Sequence, residues 1–71
     1  MEETLHRLAI QTIKAQLALR ELLCKSLARE YANESLTAAQ KGAIAFRYST
    51  AIKETRELRF LLDELEREQN T

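Results

Sequence analysis

One break decides what this chain can become. Residues 33–37 read Asn-Glu-Ser-Leu-Thr, and on either side of them a helical spacing of apolar residues runs without interruption. Proline is absent and glycine occurs once, as Gly42, so neither flank holds a residue that forces a helix to stop. Ala, Leu, Glu, Arg, Lys and Gln fill both flanks, and no run alternates with a period of two. The expected fold is all-α and single-domain: helix one over about 3–32, a turn at 33–37 and helix two over about 38–68. Thr37 and Gln40 have the T-x-x-Q spacing of a capping box, in which the hydroxyl and the side-chain amide each satisfy the other residue's backbone N–H. Asn33 is expected to end helix one in the left-handed conformation. So short a link makes the helices antiparallel neighbours, each roughly 45 Å long at 1.5 Å per residue. The last residues, Gln69 to Thr71, are expected to fray.

Helix one has more apolar perimeter than one neighbour needs. Its polar stripe is Glu3, Arg7, Gln11, Lys14, Glu21, Lys25 and Arg29. Two heptad-spaced rows occupy much of the rest. One is Leu5, Leu8, Thr12, Ala15, Leu19, Leu22 and Ser26; the other is Ile10, Ile13, Leu17, Arg20, Cys24, Leu27 and Tyr31. A hairpin helix needs a single apolar stripe, and an uncovered second one would be an exposed patch of the kind monomers avoid. The expectation is that two copies dimerise into a four-helix bundle, or that a helical partner protein replaces the second copy. Ile10, Ile13, Leu17, Cys24, Leu27 and Tyr31 are expected to supply most of that interface. The alternative is that the apolar face is merely broad and the hairpin wraps around it; Gln16 and Arg20, which interrupt that face, favour this.

Helix two has a main apolar row of Ile44, Tyr48, Ala51, Thr55, Leu58, Leu62 and Leu65, the expected hairpin core. Beside it runs a ridge of small residues, Ala38, Gly42, Ala45 and Ser49. Gly42 costs about 1 kcal/mol of helix propensity relative to alanine, so it either permits close approach of another helix or is tolerated near the start of the helix. Phe46 and Phe60, two heptads apart, point the same way. They either mark a contact surface or fold over the rim against helix one. Gly42, Phe46 and Phe60 complete the expected interface residues.

Size and chemistry narrow the function classes. A chain of 71 residues buries a small share of its surface and gains from a staple or a partner. Cys24 is the single cysteine and His6 the single histidine, which rules out an intrachain disulfide and an ordinary zinc site. They stand eighteen residues apart, about 27 Å along one helix, too far to form a nucleophile and base. No phosphate-binding glycine loop is present. The expectations are therefore no catalytic residue, no metal, no cofactor and no small-molecule substrate. Eleven basic and eleven acidic residues balance to zero, which disfavours a nucleic-acid partner. No apolar run approaches the ~20 residues of a membrane span, and the acidic N-terminus is unlike a signal peptide. A cytoplasmic protein is expected, a compartment that suits a lone thiol.

The length, the long helices on either side of residues 33–37 and the surplus apolar row together resemble the small co-chaperones of bacterial type III secretion systems. Those are helical hairpins that join a helical-repeat partner and keep the needle subunit soluble in the cytoplasm. The resemblance is one of architecture and carries over no binding residues. It implies a chaperone or assembly factor that shields a partner's apolar helix. The alternatives are a small dimeric regulator that binds RNA, for which Arg47, Lys53, Arg56 and Arg59 with the two phenylalanines would form the face, and an anti-activator or phage inhibitor that sequesters a protein.

Overall fold

The computed structural model describes residues 2–69; the fraying expected at Asn70 and Thr71 lies outside them. Two helices, α1 (Glu2–Tyr31) and α2 (Ala38–Gln69), pack against each other along their length. They run antiparallel: Leu27 meets Ile44 near the turn, and His6 meets Leu65 at the open end. The result is a rod of 53 × 14 × 14 Å.

The turn is built from its side chains. The Thr37 N–H donates to Gln40 Oε1 at 2.8 Å, and the Gln40 N–H donates to Thr37 Oγ1 at 3.1 Å. This is the reciprocal capping box that the spacing implies. The end of α1 differs from expectation. No non-glycine residue among those described has a positive φ, so Asn33 does not close the helix in the left-handed region. The last turn tightens instead: the Ala32 N–H is shared between the carbonyls of Ala28 and Arg29, and the Asn33 N–H donates to Glu30. Asn33 Oδ1 then accepts from both the N–H and the hydroxyl of Ser35. Such an Asx turn reverses the chain without the steric cost of a left-handed residue.

The core is one seam between the helices. From α1 it takes Ile10, Ile13, Leu17 and Leu27; from α2 it takes Ile44, Ala51 and Thr55. Leu58, Leu62 and Leu65 are half-buried along the same row of α2. The seam is tightest near the turn, where Cys24 and Leu36 pack on Leu27, Ile44 and Ala51. Thr55 is the buried polar residue among those described, and its hydroxyl donates to the Ala51 carbonyl at 2.8 Å, so its burial leaves no donor unmet. Cross-helix ion pairs border the seam, among them Arg20 with Glu54 at 2.8 Å and Arg59 with Glu21. Glu54 and Arg59 lie five residues apart on α2 and so on opposite sides of its buried row. Both pairs are well exposed, and each contributes at most about 1 kcal/mol. At the open end, His6 Nε2 donates to the Leu65 carbonyl at 2.7 Å, tying the start of α1 to the end of α2.

So thin a core leaves a large surface. The radius of gyration is 16.2 Å, against about 11 Å for a compact chain of this length. The accessible surface is 5827 Å², about 1,300 Å² more than the roughly 4,500 Å² of a typical folded monomer of this mass.

Candidate interaction surface

The structure decides which row of α1 faces α2, and it is the row expected to face outward. Ile10, Ile13, Leu17 and Leu27 are all buried by α2 (Leu17 is 8 % exposed). They form the hairpin core and do not supply an intermolecular surface. The physical reason lies at the turn. Followed toward residue 33, that row reads Cys24, Leu27, Tyr31, so it stays apolar where the link holds the two helices together. The other row reads Ser26, Arg29, Asn33 over the same stretch. The row of Leu27 is therefore the one that can seal the seam beside the turn, and Arg20, the polar member of that row, is met by Glu54.

The leucine row is left in the open. Leu5, Leu8, Leu19 and Leu22 are each more than half exposed, Leu19 at 66 %. Thr12, Ala15 and Ser26 between and beyond them are exposed as well. The row lies roughly 140° around α1 from the buried one, as 3.6 residues per turn requires. Leu23, 37 % exposed, borders it on the side toward α2. At about 25 cal/mol per Å² of apolar area, covering these leucines would contribute several kcal/mol.

The remaining residues expected at an interface divide between two places. Cys24 is half-buried and packs on the core cluster. Tyr31 is half-exposed beside the turn, with the Lys41 ammonium 5.5 Å from its ring centre. Tyr31 also lines a groove of about 430 Å³ with Leu27, Ala28, Ile44, Ala45 and Tyr48. Gly42, Phe46 and Phe60 lie on the outer face of α2. A methyl group added at Gly42 would meet nothing within 4 Å, so no close helix approach within the hairpin accounts for this glycine. Phe46 and Phe60 are 74 % and 69 % exposed, which excludes their folding over the rim onto α1. Lys53 and Arg56 lie on the same outer face between them.

Polar groups gather at the open end, where Glu2, Glu3, His6, Arg7 and Glu68 line a notch of about 560 Å³. His6 Nε2 is already engaged as a donor to Leu65 there, which makes it a clasp. Among the described residues, no group of three His, Cys, Asp or Glu is placed to hold a metal ion, and no helix is long and apolar enough to cross a membrane.

What the spacing alone missed is that Leu5, Leu8, Leu19 and Leu22 are the open row and that His6 joins the two ends. The first was readable from the polar residues that row runs into at the turn. The second had no sequence signal, because a histidine near a helix start is common and its partner is a backbone carbonyl. No family model, no curated protein and no solved structure matches this chain.

Proposed function

We propose that this chain is a non-enzymatic protein-interaction module of the cytoplasm, which receives an apolar helix on the leucine row of α1. The observation that carries the reading is the exposure of Leu5, Leu8, Leu19 and Leu22 at heptad spacing on one face of a folded hairpin. A row of that kind suits a helix-in-groove partner, whose own apolar residues recur every three and four positions. The architecture supports a small chaperone or assembly factor that shields a partner's apolar helix until it is needed, after the manner of type III secretion co-chaperones.

The test is capture of partners from the native cell by wild type, by the Leu19→Glu/Leu22→Glu double variant and by Phe46→Ser/Phe60→Ser. The expected result is a defined helical partner held by wild type and by the phenylalanine variant but lost from the leucine variant. A copurified complex rebuilt from the two purified chains should then hold one helix of the partner on α1. Equal capture by all three, or loss with the phenylalanine variant alone, overturns the reading.

A second reading has one observation in its favour. Phe46 and Phe60 stand exposed on the outer face of α2 with Lys53 and Arg56 between them, a pattern that stacks and neutralises single-stranded or looped RNA. The neutral net charge, Glu57 on the same stretch and the engagement of Arg59 by Glu21 weigh against it. Binding of an RNA hairpin that falls steeply with salt would establish it, and no shift at 50 mM salt would remove it.

A further inference from the structure

We propose that, when no other partner is bound, the leucine row of α1 is covered by the same row of a second copy running antiparallel. Leu5 then packs on Leu22, Leu8 on Leu19 and Thr12 on Ala15 of the other chain. This rests on reading the row as an interaction surface and names what occupies it.

The spacing sets the kind of occupant. From Leu5 to Ser26 the row advances by alternating steps of three and four residues, the seam of a left-handed coiled coil, which accepts a helix with the same repeat. The pattern of side-chain size then points to this chain itself. Leucines stand at both ends of the row, and the smaller Thr12 and Ala15 stand in its middle. Reversed and laid on itself, the row sets each leucine against a leucine and the two central residues against each other. Every layer occurs twice about a two-fold axis, as a self-complementary dimer contact requires. Sliding the copies by one heptad would set Leu8 on Ser26, Leu19 on Ala15 and Leu22 on Thr12, and each would lose a partner of its own bulk.

Charge agrees. The edges of the row hold Ala9, Gln16 and Leu23 on one side and Thr4, Gln11, Ala18 and Lys25 on the other. Lys25 is the single charge, so nothing along the contact repels an identical chain, and no edge pattern selects a different one. Orientation follows from the ends. A parallel pair would set Glu2 and Glu3 beside their own copies and align both helix dipoles. The antiparallel pair levels the acidic first turn of one α1 with the basic Lys25 and Arg29 region of the other. The elongated hairpin exposes about 1,300 Å² more than a typical monomer of its mass, and a standard interface takes roughly 800 Å² from each partner. Both copies of α1 are then central and both copies of α2 outermost, with Phe46 and Phe60 left open.

Thiol cross-linking in a Cys24→Ser background, with helicity checked by circular dichroism, tests the register. Chains carrying Leu8→Cys and chains carrying Leu19→Cys are mixed and treated with a short bis-thiol reagent. The expected product is a covalent dimer in the mixture and little in either chain alone, because Leu8 lies level with Leu19 of the other copy and about 16 Å from Leu8. Self-linking of each chain alone overturns the antiparallel arrangement. Sedimentation equilibrium tests the occupant: wild type should be a dimer, and Leu19→Glu should weaken dimerisation roughly 100-fold, since the change counts twice about the axis. A wild type that sediments as a monomer at several hundred micromolar overturns self-pairing. The interaction-surface reading survives that result if partner capture is still lost with Leu19→Glu/Leu22→Glu. A dimer that is indifferent to Leu19→Glu removes the proposal, and unchanged partner capture removes the reading beneath it.

Discussion

The two apolar rows of α1 have the same spacing and similar side chains, yet one is core and the other surface. Ile10, Ile13, Leu17 and Leu27 are sealed by α2, whereas Leu5, Leu8, Leu19 and Leu22 face outward. The difference teaches that heptad periodicity reports how many faces a helix can bury and is silent on which face the chain itself uses. The deciding information is local to the turn, where one row continues through Leu27 and Tyr31 and the other runs into Ser26, Arg29 and Asn33.

The sharpest way to break this comparison is to place the same charge on each row. Leu17→Glu should lose at least about 4 kcal/mol, because the carboxylate would be buried without a partner. In so small a fold that means loss of helical signal at 25 °C by circular dichroism. Leu19→Glu, two residues on, should keep monomer stability within about 0.5 kcal/mol by urea titration at low concentration. Equal losses at the two positions would show that the leucine row is part of the fold. Leu27→Ala should cost about 3 kcal/mol, from the cavity it leaves in the tightest part of the seam; a loss under 1 kcal/mol would place the core elsewhere. Thr37→Ala should cost about 1 kcal/mol by removing one half of the capping box. At a concentration where the fold stays intact, it should leave association unchanged, which separates folding of the hairpin from use of the open row. A gain is expected at Gly42→Ala: about 0.5–1 kcal/mol of added stability, since the site is helical and open. A loss of stability or of assembly there would reveal a contact on the outer face of α2.

Much of the fold was legible because its signals are local. The absence of proline, the single break and the Thr37–Gln40 pair define two helices and their hinge without reference to anything distant, and the row from Ile44 to Leu65 was readable as core from its spacing, except for Tyr48, which is exposed. Asn33 was misread because two turn chemistries suit asparagine equally, and Ser35, two residues on, tips the choice toward the Asx turn. The facing of α1 could not be fixed from spacing, because both rows keep the same heptad period, and four of the residues expected at the interface are those that α2 buries. The exposure of Phe46 and Phe60 could not be derived from spacing alone, since an aromatic ring off the main row reaches either solvent or a neighbouring helix.

The seam also differs from end to end. Near the turn it is closed by Leu27, Ala51 and Leu36, while at the far end Leu62 and Leu65 are half-buried and His6 reaches across to one carbonyl. A zipper fastened at one end and clipped at the other opens from the clip. Amide exchange should therefore be fastest over residues 2–9 and 62–68 and slowest around Leu27 and Ala51. Leu5 and Leu8 stand on the segment that parts most readily, whereas Leu19 and Leu22 stand nearer the end that stays closed.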